Sequence, residues 1–182
     1  MFNRDWRMGG MSLQSVKEHL KKFNREQDIL EYDQISATVD QAAAALNVIP
    51  ARIAKTLSFK DKEGNAFLVV AAGDAKIDNK KFKSTFGVKA KMLSAEEVEH
   101  FTGHVIGGVC PFGLAHDLDV YLDVSLKRFS TVFPACGSIN SAIELTCDEL
   151  FEYSYAKDWV DVGKDWDASL TDIGEIAATS EV

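Results

Sequence analysis

The stretch KTLSFKDKEGNAFLVVAAG, residues 55–73, decides the fold of this 182-residue chain. Its two apolar segments, residues 55–59 and 66–72, are rich in residue types that favour strands. Between them, Gly64-Asn65 is a pair that favours a tight turn. The sequence therefore predicts an antiparallel hairpin near the middle of the chain.

Two helices are predicted before this hairpin. In residues 12–24, SLQSVKEHLKKFN, apolar side chains recur at spacings of three and four, which is typical of an amphipathic helix. Thr38 and Gln41 have the spacing of a capping box ahead of an alanine-rich run, and Asn47 can end that helix. Pro50 then favours a short helical turn that leads into the first strand.

Three more helices and three more strands are predicted after the hairpin. Helix starts are expected at Asp78, Ser94 and Thr146, because each has the residue type that caps a helix. Segments rich in β-branched and aromatic residues predict the strands VYLDVSL (120–126), FSTVFPACG (129–137) and SAIELT (141–146). Because helices and strands do not alternate regularly, the pattern favours the α+β class with a mixed sheet.

Composition limits the function classes. Hydrophobic residues make up 46% of the chain, which suits one globular domain with a core. The net charge of −8 argues against a protein that grips long DNA or RNA by releasing counterions, and weak, salt-sensitive binding to one RNA end is compatible with it. No apolar run approaches the roughly 20 residues of a membrane span. Three cysteines without CxxC spacing are typical of a reduced, cytoplasmic protein.

The domain boundaries follow from the same patterns. Residues 1–11 are interpreted as an N-terminal tail or leader, and residues 12–166 as one domain. The acidic, turn-rich residues 167–182 are expected to be frayed or disordered.

The segment TGHVIGGVCPFG, residues 102–113, is rich in glycine and has three competing interpretations. A phosphate-binding loop is disfavoured, because such a loop follows a strand and precedes a helix, whereas here a helix comes first and Pro111 interrupts. A turn-rich strand edge and the wall of a ligand site, where a ligand touches the backbone, both remain open.

Two other features have both a structural and a chemical interpretation. Lys55 is either a solvated surface lysine or a side chain that holds a carboxylate, carbonyl or phosphate at the mouth of a sheet. The segment PACGSINSAIEL, residues 134–145, predicts a hairpin turn, and such a turn also exposes backbone N–H groups that could form an oxyanion site.

Metal and thiol chemistry are not supported by the sequence. His104 and His116 lack partners at metal-ligand spacing, so no metal or other cofactor is predicted. Cys136 has no neighbouring base that would activate it as a nucleophile, and we expect a buried, inert thiol.

Four segments together resemble the YbaK family, also called the prolyl-tRNA-synthetase-associated domain. They are ARIAKTLSF, LVVAAGD, TGHVIGGVCPFG and PACGSINSAIEL, and the resemblance extends over about residues 12–153. It implies a single compact α+β domain whose strongly curved mixed sheet is flanked by helices. It also implies hydrolysis, in trans, of the ester that joins a wrong amino acid to the terminal adenosine of tRNA, commonly the tRNA for proline.

The resemblance assigns roles residue by residue. The family's catalytic lysine corresponds to Lys55. The residues expected to bind the substrate are Thr38, Gly107, Gly108, Val109, Pro111, Gly137 and Ser138. The expected partner is the acceptor end of mischarged tRNA, delivered by prolyl-tRNA synthetase or an elongation factor, because an acidic protein should bind tRNA weakly by itself.

One departure from the family concerns specificity. Members that act on cysteinyl-tRNA often carry S-x-G and D-I-E-L in the last segment, where this chain has Ala135 and Ala142. This disfavours cysteine and favours another small amino acid, either alanine or a polar relative. Three other functions remain as alternatives: a binding module that does not hydrolyse, a small-molecule ester or amide hydrolase that uses Lys55, and, less favoured, a redox thiol protein.

Overall fold

The predicted central hairpin is present, and the sheet is built around it. The computed structural model describes the backbone of residues 4–172 and the side chains of residues 11–172. In chain order, its elements are α1 (Arg4–Lys21), β1 (Leu30–Glu31), α2 (Val39–Leu46), β2 (Ile53–Lys60), β3 (Ala66–Ala72), β4 (Lys76–Ile77), α3 (Asn79–Phe86), α4 (Ala95–Thr102), β5 (Asp119–Asp123), β6 (Thr131–Pro134), β7 (Ser141–Ala142), β8 (Leu145–Thr146), α5 (Cys147–Tyr153), β9 (Asp158–Val160) and β10 (Gly163–Lys164).

The main sheet is mixed and has the strand order β8-β6-β2-β3-β5-β9. The central pair β2–β3 is antiparallel, with Lys55 opposite Ala71 and Phe59 opposite Phe67. Strand β6 runs parallel to β2, and β5 runs parallel to both β3 and β9. The pairs β1–β7 and β4–β10 form two small antiparallel ladders beside it. The α+β class with a mixed sheet is confirmed.

The helix boundaries follow the capping residues. Thr38, Ser94 and Thr146 each form a complete capping box, and Asp78 accepts a hydrogen bond from the backbone N–H of Lys81. The predicted end of α2 at Asn47 is confirmed, and Asn47, Gly87 and Gly103 all adopt left-handed backbone angles at the carboxyl ends of their helices.

Several elements differ from the sequence-based expectation: strands β1, β4, β9 and β10 were not predicted, and β6 is shorter than the predicted strand over residues 129–137. Helix α1 begins at Arg4 rather than at residue 12. The strand predicted over residues 120–126 ends at Asp123, whose carboxylate accepts the backbone N–H groups of Ser125, Val162 and Gly163 and so turns the chain into a short 3₁₀ helix. The segment SAIELT is divided into β7 and β8, because its two halves pair with different strands.

The acidic C-terminal region begins with ordered contacts. The Asp172 carboxylate accepts hydrogen bonds from the backbone N–H and the hydroxyl of Ser130, at 2.7 and 2.6 Å. The Arg128 guanidinium donates to the backbone oxygen of Asp167 at 2.7 Å. The rest of the expected tail, residues 173–182, and residues 1–3 of the expected N-terminal tail lie outside the described residues.

Apolar side chains fill both faces of the main sheet. On one face, Val16 and Leu20 of α1 and Leu150 of α5 pack against Leu68 and Val70 of β3. On the other face, the buried residues are Phe59, Phe67, Val69, Phe82, Val160 and Val162. Among residues 4–172, no helix is long and apolar enough to cross a lipid bilayer.

Candidate active site

A gap in the main sheet lies along the outer edge of β2. Strand β6 pairs with β2 only at Ile53 and Ala54. At the other end, the backbone N–H of Lys60 donates to the oxygen of Lys91, and the N–H of Leu93 donates to the oxygen of Ser58. Between these contacts, no strand among the described residues covers the edge.

Thr56 occupies the centre of this gap. Ser58 and Lys60 direct their backbone groups outward, and peptide groups alternate in direction along a strand. The N–H and C=O of Thr56 therefore point into the gap. Its side-chain Oγ1 is closed off from solvent and has no hydrogen-bond partner among the described residues.

The gap opens into a cavity of about 270 Å³. Its walls come from β2, from the start of α2, from the glycine-rich segment and from β7. The lining residues are Tyr32, Ser36, Ala37, Thr38, Val39, Ala42, Leu46, Ile53, Ala54, Lys55, Thr56, Ser58, Met92, Val98, Ile106, Gly107, Val109, Phe133, Ala135, Ser141 and Ala142. Of these, only Tyr32 and Lys55 have titratable side chains, so the cavity is mostly apolar with few polar groups.

Lys55 is half-buried in the cavity wall. Its Nζ donates hydrogen bonds to the backbone oxygens of Gly73, at 3.2 Å, and Ala75. An ammonium group has three N–H donors, so one is left for a ligand. Burial lowers the pKa of Lys55, and Lys76 adds to this shift while the Asp74 carboxylate opposes it.

The turn that holds Lys55 is itself fixed. A Cβ atom at Gly73 would lie 2.0 Å from the backbone oxygen of Pro50, so only glycine fits there. The Asp74 carboxylate binds the guanidinium of Arg128, which is 6% exposed, with both oxygens. Burial tends to raise the pKa of Asp74, but the hydrogen bonds from Arg128 and from the backbone of Asp167 outweigh it, so this pKa is lowered. The carbonyl groups that bind Lys55 are therefore held in position before any ligand arrives.

The glycine-rich segment contributes Gly107 and Val109 to the cavity wall. Gly107 has a φ of +90°, and a Cβ atom there would lie 2.8 Å from the Cβ of Ala37 across the cavity rim. This supports the interpretation of the segment as a site wall, because the backbone itself forms the surface.

Gly108 and Gly137 lie behind that wall rather than in it. The backbone N–H of Gly137 donates to the oxygen of Gly108 at 2.9 Å, and a Cβ atom at Gly108 would lie 2.7 Å from the backbone of Gly137. On its other side, Gly137 packs against the backbone of Ser12 in α1. Pro111 is buried and, like both glycines, does not line the cavity. These residues join the glycine-rich segment to the predicted turn.

Ser138 does not line the cavity itself, but it forms a hydrogen bond with a serine that does. Its Oγ lies 2.6 Å from the Oγ of Ser141, which lines the cavity, and it donates to Asn140 Oδ1 at 3.2 Å. Thr38 lines the cavity directly, but its hydroxyl already accepts the backbone N–H of Gln41 in the cap of α2.

Outside the predicted turn, sequence reasoning missed four polar residues of the cavity wall: Tyr32, Ser36, Thr56 and Ser58. The Tyr32 hydroxyl donates to Ser36 Oγ at 2.7 Å, and Ser36 Oγ donates to the backbone oxygen of Ile139 at 2.9 Å. Burial raises the pKa of Tyr32, and the hydrogen bond with Ser36 opposes this shift. Residues 30–37 have no periodic pattern that would have indicated a site, whereas Thr56 could have been noticed as the neighbour of Lys55.

The cysteines and histidines do not form a second reactive centre among the described residues. Cys136 and Cys110 are fully buried, and burial raises the pKa of Cys110 to about 12 and that of Cys136 well above its usual value. The expectation of a buried Cys136 thiol is confirmed. No group of three or more histidine, cysteine and acidic side chains within residues 11–172 is placed to hold a metal ion.

Comparison with known proteins identifies the family. A family model described as the aminoacyl-tRNA editing domain matches residues 35–153, about two thirds of the chain. The chain belongs to the aminoacyl-tRNA editing domain family. The matched residues include every residue of the cavity wall except Tyr32.

Two related sequences and one solved structure are similar to this chain over most of its length. The chain is 64% identical over 157 residues to the uncharacterized protein YwhH of Bacillus subtilis, covering 86% of this chain and all of YwhH. It is 26% identical over 135 residues to EbsC of Enterococcus faecalis, named as a proposed Cys-tRNA(Pro)/Cys-tRNA(Cys) deacylase, covering 74% of this chain and 81% of EbsC. A crystal structure of a proposed trans-editing enzyme for prolyl tRNA synthetase superimposes with a TM-score of 0.76 at 28% identity, covering 84% of this chain and 97% of that protein.

Proposed function

We propose that this editing domain hydrolyses, in trans and in the cytoplasm, the ester between a small amino acid and a mischarged tRNA, with alanine on the tRNA for proline as the leading substrate. The observation that carries the proposal is the position of Lys55 in the cavity wall, with one N–H donor of its ammonium group left after binding Gly73 and Ala75. Family membership and the relatives' names support the reaction class.

The proposed reaction needs few side-chain groups. A water molecule attacks the ester carbonyl carbon, and the carbonyl oxygen takes up negative charge. The bond to the ribose oxygen then breaks, and that oxygen takes up the proton that the attacking water releases. We assign the free N–H of Lys55 to the carbonyl oxygen, where a positioned donor stabilises the transition state by several kcal/mol in a site sheltered from water. The backbone N–H of Thr56 points into the gap and is a further donor there. We propose that its buried Oγ1, which has no partner among the described residues, gains one when the substrate binds.

Positioning supplies the rest of the rate enhancement. Because Lys55 is the one lining side chain that carries a positive charge, and no carboxylate or imidazole among the described residues lines the cavity, a protein base is not part of the proposed mechanism. An ester is already activated, so holding it beside a bound water provides much of the acceleration.

The cavity favours a short side chain. Ala135 and Ala142 form an isolated antiparallel bridge and both line the cavity, at the positions where relatives specific for cysteine often carry polar residues. With two methyl groups there, the cavity offers apolar contacts to alanine and no polar partner for a thiol at these positions. We therefore place alanine ahead of cysteine and serine.

A panel of charged tRNAs tests the proposal. The protein is incubated with alanyl-, cysteinyl-, seryl- and prolyl-tRNA for proline, each labelled in the amino acid, and loss of ester-bound label is followed. We expect alanyl-tRNA to be deacylated fastest and prolyl-tRNA to be spared. Tight binding to charged tRNA that stays intact would instead identify a binding module, and faster cleavage of alanine methyl ester than of alanyl-tRNA would identify a small-molecule esterase.

A further inference from the structure

Residues 76–91 concentrate positive charge in an acidic protein. The segment contains six lysines and one aspartate, a local net charge of +5, whereas the whole chain carries −8 and the remaining residues therefore carry −13. This contrast is hidden in the net charge of the chain. The segment comprises β4, α3 and the loop that leads to Met92.

The lysines of this segment point outward. Helix α3 buries Phe82 against the sheet and packs Phe86 beside it, which leaves the opposite side of the helix to solvent. Within residues 11–172, Lys81 forms an ion pair with Asp161, and the other five lysines have no acidic partner within salt-bridge distance. These five are exposed: Lys76, Lys80, Lys83, Lys89 and Lys91. We call them the lysine face.

Both ends of the lysine face border the candidate active site. At one end, Lys76 directly follows Ala75, whose carbonyl oxygen binds Lys55. At the other end, the carbonyl of Lys91 binds the backbone of Lys60 at the edge of β2, and the next residue, Met92, lines the cavity. Both ends of the lysine face thus adjoin residues of the candidate site.

We propose that the lysine face binds the phosphate backbone of the RNA duplex next to the esterified end of the substrate. The proposal rests on the proposed deacylase function, since it places the acceptor stem of the tRNA beside the cavity. Compact ammonium groups on flexible stems bind phosphates as point charges, and the surrounding acidic surface repels an RNA that approaches elsewhere.

The composition of the surface favours RNA over an acidic protein partner. Protein interfaces are enriched in aromatic residues, methionine and arginine and are depleted in lysine. None of residues 76–91 is an exposed large hydrophobic side chain, and none is an arginine. A surface of isolated lysines contributes electrostatic attraction that depends on salt, which is the main contribution of phosphate contacts.

The test measures binding of a fluorescein-labelled RNA hairpin that copies the acceptor stem of the tRNA for proline, ends in CCA and carries no amino acid. The double variant Lys80→Gln, Lys83→Gln is compared with the matched double variant Lys21→Gln, Lys22→Gln, which removes the same charge from the exposed end of α1 and the residue after it. Anisotropy titrations are run at several salt concentrations, and a melting curve checks that each variant is folded.

We expect the Lys80, Lys83 variant to raise Kd about tenfold at low salt and to flatten the plot of log Kd against log salt by about one to two. The Lys21, Lys22 variant should follow the unaltered protein. Equal effects of the two variants, or an unchanged salt slope in the first, would overturn the lysine face as the RNA-binding surface. Because the hairpin carries no amino acid, its binding does not depend on hydrolysis. Failure of the unaltered protein to deacylate any tRNA would overturn the proposed function instead.

Discussion

The Nζ atom of Lys55 lies 3.2 Å from the backbone carbonyl oxygen of Gly73. Gly73 cannot move away, because its Cα is packed against the backbone of Pro50. A lysine with its ammonium anchored in this way is preorganised, so it loses little conformational freedom when a substrate binds. This relationship makes Lys55 the most sensitive side chain of the candidate site.

Replacement of Lys55 is therefore expected to abolish most of the activity. Lys55→Ala should lower the single-turnover deacylation rate about a hundredfold, or about 3 kcal/mol, because a charge-assisted contact in the transition state is lost. Lys55→Arg should restore only part of the rate, since a planar guanidinium does not fit the two carbonyl groups as an ammonium does. A folded Lys55→Ala protein with a near-normal rate would remove Lys55 from the mechanism.

Two comparisons sharpen this experiment. Lys62, exposed at the hairpin tip, is the control. Lys60 is less suitable, because it forms an ion pair with Glu97 and its replacement would also remove that contact. The second comparison uses alanine methyl ester, which has no phosphate. If Lys55 contacts the ester carbonyl, Lys55→Ala should slow the cleavage of this ester and of alanyl-tRNA by similar factors. A defect confined to the tRNA would assign Lys55 to the terminal phosphate.

Gly107 and Gly64 form a matched pair for testing the cavity wall. Both have a positive φ, +90° and +82°, so alanine adds similar backbone strain at either site, about 1 kcal/mol. At Gly64 the added methyl group meets open space, whereas at Gly107 it meets Ala37. We expect Gly64→Ala to lose a little stability and no deacylation, and Gly107→Ala to lose more stability and most deacylation. Equal melting temperatures and equal rates for the two variants would contradict the assigned role of Gly107.

The size of the cavity should determine which amino acids are removed. Each extra methylene in an apolar pocket changes discrimination by about 1–3 kcal/mol, so leucyl-tRNA should react much more slowly than alanyl-tRNA. Val109→Ala removes two methyl groups from the wall and should raise the leucyl-to-alanyl rate ratio about tenfold. Val88→Ala, which lies outside this cavity, is the control. A ratio that stays the same in Val109→Ala would show that other residues limit the size.

The free energy of unfolding should decrease as the pH is lowered, because of His104. This side chain is fully buried, its Nε2–H donates to the backbone oxygen of Phe112 at 2.7 Å, and its Nδ1 has no partner among the described residues. Burial lowers its pKa from 6.5 to about 4, so the unfolded chain takes up a proton between these values that the folded chain does not. The loss between pH 7 and pH 4 is on the order of 3 kcal/mol.

Urea unfolding at a series of pH values checks this sign. The free energy of unfolding should decrease as the pH falls below about 6.5, and His104→Gln should show a smaller decrease. His19 contributes in the same direction, because burial lowers its pKa as well, although its hydrogen bond with the backbone oxygen of Tyr153 opposes the shift. A His104→Gln protein with the full pH dependence would show that other groups are responsible.

The sequence predicts local features of the fold better than distant contacts. Thr38 and Asn47 mark the ends of α2 because capping depends only on neighbouring residues. The two-residue strand β1 has no such signal, since it exists because Leu30 meets Ala142, more than 100 residues away. Elements whose pairing is set by tertiary packing are thus the ones that the sequence leaves out.

The same distinction applies to the site. Lys55 and Gly107 were expected in the cavity and do line it. Gly108 belongs to the same motif but packs against Gly137, because a motif does not reveal which of its residues face the ligand and which support the backbone behind it. The lysine face was missed because the net charge of the whole chain conceals a local excess.

Thr56 gives the last prediction, in which stability and activity change in opposite directions. Its Oγ1 is buried without a hydrogen-bond partner among the described residues, and an unsatisfied buried hydroxyl costs about 1–3 kcal/mol. Thr56→Val keeps the shape of the side chain and removes this group, so the variant should be more stable than the unaltered protein. If the hydroxyl contacts the substrate, as we propose, the same variant should lower kcat/KM for alanyl-tRNA about tenfold.

Thr102→Val is the matched control. The Thr102 hydroxyl is also buried, but it donates to the backbone oxygen of Val98 at 2.6 Å and accepts from the backbone N–H of His104 at 3.1 Å. Its replacement should therefore lower the melting temperature, since both groups lose a partner, and should not raise it as Thr56→Val does. Melting curves and deacylation rates measured on both variants decide the matter: a Thr56→Val protein that is less stable than the unaltered chain, or equally active, would show that the unpaired hydroxyl is not reserved for a substrate.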